Sequence, residues 1–196
     1  LTAIALLLLT AALLWRNPYA IISGDFTRQR LVAGLSKASA QVDGHRWAYA
    51  YSDDAPADAP TVVMLHGFTG SKENWYPVAT RLRGRYRLVV PDLPGWGESQ
   101  RIDGADYSFL AQSDRVARFI DAVSPGAGVV LLGHSMGGGV AALVAARHPR
   151  AVTHVGLIDA AGVRFADNRF GIDVLAGKDP FAVHDEASLA RYLGTV

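Results

Sequence analysis

The run Gly133-His134-Ser135-Met136-Gly137 has the pattern G-x-S-x-G, which in the right setting turns a serine hydroxyl into a nucleophile. The setting is a buried strand before the pattern and a helix after it. Here an apolar run over residues 128–132 precedes it, and a helical pattern over 136–148 follows. Such a serine sits in a tight, strained turn with its hydroxyl at the sheet edge. The positions two before and two after must then be small, and Gly133 and Gly137 meet that demand. The helix terminus behind Ser135 adds backbone N–H groups and a positive dipole end. The bland alternative is a chance match in a chain with 20 glycines. The strand and helix on either side argue against it.

Two more motifs follow apolar runs. His66-Gly67-Phe68 comes directly after residues 61–65. Gly67 lets the backbone approach a neighbouring group closely. His66 invites reading as a catalytic base, but the preferred reading is a buried, hydrogen-bonding histidine that shapes the loop. Residues 91–99 (PDLPGWGES) follow the run 86–90, and two prolines and two glycines fix a tight turn there. Asp92 is read as bonding backbone and orienting that turn, with a catalytic carboxylate as the lesser alternative.

These motifs need a scaffold. Trp47, Tyr49 and Tyr51 alternate, which predicts an amphipathic strand, and the Asp-, Ala- and Pro-rich residues 53–60 read as a hairpin connection. Residues 61–65, 86–90, 128–132 and 153–158 are continuous apolar runs, as expected of strands buried on both faces. Helical patterns over 75–82, 110–123 and 136–148 lie between them, and Pro149 closes the last. Strand and helix in alternation imply a doubly wound, mostly parallel α/β sheet. Beyond Asp159 the pattern turns irregular, with a turn at Asp179-Pro180 and a helix over 186–193 capped by Asp185.

Half the residues are hydrophobic and 19% are charged, enough apolar material for a real core. A net charge of +1 gives no reason to expect nucleic acid as a partner. The absence of cysteine excludes disulfides, thiolate catalysis and cysteine-ligated metals. No cofactor and no metal site are expected. Residues 1–15 carry no charge; Arg16, Asn17 and Pro18 interrupt the tract, which resumes over 19–22. Residues 1–22 are read as a transmembrane anchor, with a secretory signal peptide and a buried soluble helix as alternatives. Arg16, Arg28, Arg30 and Lys37 follow the run against Asp25 alone, which places the catalytic domain on the cytoplasmic side of the membrane. A cleaved signal peptide would instead make the protein secreted or periplasmic. Residues 23–40, with a weak helical pattern in Leu31, Leu35 and Ala38, read as a juxtamembrane linker.

HGFTGSKENW, PDLPGWGES and GHSMGG, in that order, resemble the α/β-hydrolase superfamily. Together they look like its monoacylglycerol-lipase-like branch, whose members also carry an amino-terminal membrane helix. The resemblance is strong over residues 42–161. It implies Ser135 as nucleophile and the backbone amides of Phe68 and Met136 as donors to the oxyanion, supported by His66, Gly67, Gly133, His134 and Gly137. It implies a core over 41–161, the beginning of a cap over 162–196, and an acid and a histidine in the order Ser, acid, His. On that order His66 is not the base. Asp159, at the end of the sixth strand, is a minor candidate for the acid. His148, read as a helix-end cap partner, His154 and His184 are not well placed as the base. The base and acid are therefore expected beyond Val196, and the chain reads as an amino-terminal fragment, inactive by itself. The implied activity is hydrolysis of a carboxylic ester, a lipid ester by analogy with the anchor. A carbon–carbon bond hydrolase of the same fold and a non-catalytic hydrolase-fold binding protein are the alternatives.

Overall fold

A strand that is apolar on both sides must be covered on both sides: residues 61–65 and 88–91 meet that condition, whereas 153–158, expected to be buried, are largely exposed. The computed structural model describes residues 14–17, 19–52, 54–163, 169–178 and 182–194. Two units divide at Ala161/Gly162. The first holds a six-stranded sheet of β1 (Ser36–Val42), β2 (His45–Ser52), β3 (Thr61–Leu65), β4 (Arg87–Pro91), β5 (Val129–His134) and β6 (Val152–Ile158). The spatial order is β1-β2-β4-β3-β5-β6. β1/β2 and β2/β4 pair antiparallel; β4/β3, β3/β5 and β5/β6 pair parallel. The helices α1 (Tyr19–Val32), α2 (Tyr76–Leu82), α3 (Phe109–Val123) and α4 (Met136–Arg147) belong to the same unit.

Alternation along β3 divides the core. Val63 and Leu65 join Trp47, Val89, Leu131, Phe119, Ile120, Val140 and Val144, the layer beneath α3 and α4. Trp47 stacks on Phe119 with ring centroids 4.3 Å apart. Val62 and Met64 face the other way, onto Leu88, Val90, Trp75, Tyr76 and Ala79.

Several expectations need correction. Residues 53–60 do not make a hairpin, because β2 pairs with β1 and β4 and not with β3. The hairpin is β1–β2, turned by Asp43 and Gly44 at φ 51° and 75°, the left-handed pair a tight hairpin requires. β2 is not amphipathic: Ala48 and Ala50 are as buried as Trp47, since small side chains on its second face lie under other elements. Residues 23–40 are not one linker. Their first part continues α1, whereas Ala38 lies in β1, a largely exposed edge strand whose polar composition hid it. The helix read over 75–82 begins as a short 3-10 turn, Lys72–Trp75, before α2.

Among the described residues no helix is long and apolar enough to cross a membrane. Residues 1–13, most of the anchor expected over 1–22, lie outside the described residues. α1 buries none of its side chains. The second unit contains α5 (Arg169–Leu175) and α6 (Glu186–Leu193). Asp185 caps α6 as expected, its carboxylate accepting from Ser188 N–H at 2.7 Å. The turn expected at Asp179-Pro180 lies outside the described residues.

Candidate active site

The carboxyl ends of three parallel strands meet in register, Leu65 beside Gly133 and His134 beside Ile158. Ser135 stands where β5 turns into α4, at φ 51° and ψ −118°. A non-glycine residue pays for such a backbone only where its surroundings hold it. They do: Ser135 N–H donates to Ile158 O at 3.0 Å, and Ser135 O accepts from Ala161 N–H at 2.9 Å and Gly138 N–H at 2.9 Å. Gly133 is obligatory here, because a Cβ on it would lie 2.2 Å from Gly137 O. A Cβ on Gly137 would lie 2.5 Å from both Leu65 O and His66 O. The two glycines let α4 start directly against the end of β3. Ser135 is half-buried, and His134 beside it is exposed.

The loop after β3 lies against the serine, since a Cβ on Gly67 would stand 3.2 Å from Ser135 Cβ and 3.2 Å from His134 Nδ1. Both nitrogens of the buried His66 are engaged. Nε2 accepts from Leu93 N–H at 3.0 Å, so Nδ1 carries the proton and donates to Gly67 O at 2.7 Å. Burial pushes the imidazole pKa down, against the pull of its bond to Gly67 and the charges of Asp92 and Glu73. A neutral ring fastened at both ends ties the loop after β3 to the loop after β4 and cannot serve as a base toward Ser135. Gly67 O also accepts from Gly70 N–H at 3.0 Å. A trans peptide holds its C=O and N–H antiparallel, so these bonds fix the direction of Phe68 N–H. Met136 opens α4, so its N–H has no carbonyl one turn back within the helix.

Asp92 is fully buried and structural. Its carboxylate accepts from Lys72 N–H at 2.7 Å, Lys72 Nζ at 2.7 Å and Glu98 N–H at 2.8 Å. Lys72, itself 1% exposed, also lies 3.0 Å from Glu73 and 3.0 Å from Glu98. Burial alone would lower the Lys72 pKa; the hydrogen bond and charge of Asp92, with Glu73, hold it above the ordinary lysine value. Burial likewise opposes ionisation of Glu73, but bonds from Ser71 and the Lys72 charge keep it below its usual range. Nothing in the sequence singled out Lys72, since a lysine in a polar loop reads as solvated. Trp96 was also missed: its indole N–H donates to Phe68 O, and its ring meets that of Phe68 edge-on at 5.8 Å.

The remaining candidates lie apart. His148 pairs with Asp114 at 2.7 Å at the far end of α4 from Ser135, while its backbone N–H closes that helix on Val144 O. His154 and His184 are exposed. Among the described residues no histidine ring hydrogen-bonds Ser135. Asp159 is exposed, with φ 48°, one residue past Ile158. Among the described residues no three His, Asp or Glu side chains gather in a way that could hold a metal ion.

The chain is 35% identical over 112 residues to Lipase 1 of Psychrobacter immobilis, covering 57% of this chain and 35% of the relative. It is 32% identical over 160 residues to monoacylglycerol lipase ABHD6 of Rattus norvegicus, covering 81% of this chain and 47% of the relative. It therefore spans less than half the length of these curated relatives. Among solved structures, a membrane phospholipase A described as a bacterial virulence factor superposes with a TM-score of 0.76 at 35% identity, over 99% of this chain and 68% of that one. The α/β hydrolase fold family matches residues 60–191, and with the topology and the serine turn in place, the chain belongs to that family.

Proposed function

We propose that this chain carries the nucleophile and oxyanion site of a serine hydrolase that cleaves carboxylic esters of lipids. The observation that carries the reading is the strained Ser135, held at φ 51° between β5 and α4 with Gly67 against its Cβ. Ser135 Oγ attacks the ester carbonyl, and its proton passes to a histidine. The tetrahedral oxyanion is held by the backbone amides of Phe68 and Met136. The carbon–oxygen bond to the alcohol breaks, the alcohol leaves with the proton, and water then releases the acyl group from Ser135. Among the described residues no histidine ring bonds Ser135, and the reading does not assign the base or its acid partner to any of them. A lipid substrate is supported by the names of the relatives, lipases and a monoacylglycerol lipase. We keep residues 1–22 as a membrane anchor with the catalytic domain on the cytoplasmic side. In support, α1 leaves Tyr19, Ile21, Ile22 and Phe26 exposed and adds nothing to the core.

The test is turnover by the intact protein of a monoacylglycerol, a short p-nitrophenyl ester and a dienoate diketone. Esters should be hydrolysed, the monoacylglycerol with the higher kcat/KM, and the diketone left intact. Cleavage of the diketone in preference to both esters would assign carbon–carbon bond hydrolysis instead.

A further inference from the structure

We infer that Trp96 is a positioning residue for the oxyanion site, fixing the peptide that follows Phe68 as His66 fixes the one before it. The inference rests on the reading of Ser135 and Phe68 given above. Phe68 is 47% exposed, so burial does not hold it. Two peptide groups flank its Cα. The preceding one is fixed through Gly67 O, by His66 Nδ1–H and Gly70 N–H. The following one is fixed through Phe68 O, by the indole N–H of Trp96. An indole nitrogen only donates, so this bond has one possible sense. The first peptide carries the Phe68 N–H and is oriented through Gly67 O; the second, held by Trp96, pins the Phe68 Cα between them, so the loop cannot drift away from Ser135 as a unit.

Trp96 is itself braced. Its ring meets Tyr107 edge-on at 6.2 Å. Tyr107 lies against Gly95, where a Cβ would come within 2.9 Å of the Tyr107 ring, and its hydroxyl accepts from Ile102 N–H at 2.7 Å. Gln112 Nε2 donates to Pro94 O at 2.8 Å, tying the same turn to α3. The turn that carries Trp96 is thus anchored to the core independently of the loop it steadies. An oxyanion donor acts through preorganisation, because it must already point where charge develops. Loosening the donor should therefore slow the chemical step and leave ground-state binding nearly unchanged.

The experiment compares wild type, Trp96→Phe, and Trp96 replaced by its benzothienyl isostere, in which sulfur stands for N–H. The isostere keeps the ring and the fold if Trp96→Phe fails to fold. Readouts are kcat and KM on a monoester, Ki for an alkyl boronic acid that forms a tetrahedral adduct on the serine, and Ki for the matching unreactive ether. Both variants should lose about ten-fold in kcat, a fraction of the 10²–10³ typical of removing a donor outright. The boronic acid Ki should rise by a similar factor, with KM and the ether Ki within about two-fold of wild type. An isostere with wild-type kcat and boronic acid affinity would overturn the inference. So would equal weakening of boronic acid and ether, which would mean general damage to the site. Turnover that survives Ser135→Ala would remove the nucleophile reading itself, and this inference with it.

Discussion

Replacing Lys72 by methionine should destabilise the protein more than any charge removal on its surface. The side chains are similar in length, so the change removes the ammonium and little packing. That ammonium is 1% exposed and lies 2.7 Å from the fully buried Asp92, with Glu73 and Glu98 each at 3.0 Å. Removing one partner of a buried pair typically costs about 3–5 kcal/mol, because the other charge is left uncompensated. Asp92 keeps its bonds from Lys72 N–H and Glu98 N–H, which places the expected loss near the lower end, about 3 kcal/mol. With urea slopes of roughly 1–3 kcal/mol per molar, the unfolding midpoint should fall by about 1–3 M. The pH dependence has a definite sign. In the wild type Glu73 and Glu98 titrate below their usual range, so they contribute stability above that range that is lost as pH falls through their folded values. Without the ammonium part of that lowering is lost, although Ser71 still bonds Glu73 and Lys37 still bonds Glu98, so the variant loses less stability than wild type as the carboxylates protonate. The deficit of Lys72→Met should therefore be constant from pH 7 down to about the ordinary glutamate value of 4.5 and shrink below it. A midpoint within error of wild type at pH 7, or a deficit that does not shrink below that value, would refute the role given to this cluster.

Gly137→Ala forces a methyl to 2.5 Å from two backbone carbonyls that cannot move independently. α4 should shift, carrying Ser135 and Met136, and kcat in the intact protein should fall by about 10² or more; near-normal kcat would show that the elbow tolerates a side chain there. Deleting residues 1–22 should move the intact protein from the membrane pellet to the supernatant, with any residual binding through Arg28, Arg30 and Lys37 removed by high salt. A folded, monodisperse deletion protein that still pelleted would contradict the anchor. Residues 24–196 alone should show no ester turnover above background, since no histidine among the described residues is bonded to Ser135; robust turnover abolished by Ser135→Ala would place the base within these residues.

The centre of the parallel sheet was legible because residues 61–65 form an apolar run buried on both faces, which solvent-facing strands do not have. Residues 153–158 were placed within a residue of the observed strand by the same pattern, although that strand is largely exposed and not buried as expected. The serine turn was legible because its glycines have a steric cause that leaves little choice of residue. β1 was not legible: as an edge strand it needs no apolar face, and SKASAQV is as compatible with a polar helix or linker. The false hairpin at 53–60 arose because turn residues say where the chain bends and not which strand receives it. Asp92 was legible as a loop organiser, but its partner Lys72 was not, since twenty residues separate them and only tertiary packing brings them together. Trp96 was hidden for a similar reason: its function lies in one bond to a carbonyl 28 residues earlier.

The central claim is that Ser135 is the nucleophile, and the most direct measurement is covalent labelling of the intact protein with a fluorophosphonate, the modified peptide being located by tandem mass spectrometry. The account predicts one phosphonylated residue, Ser135, with labelling blocked by competing monoacylglycerol and absent from a folded Ser135→Ala protein. Labelling of Ser135→Ala equal to that of wild type, or a modification mapped to any other serine, would contradict it.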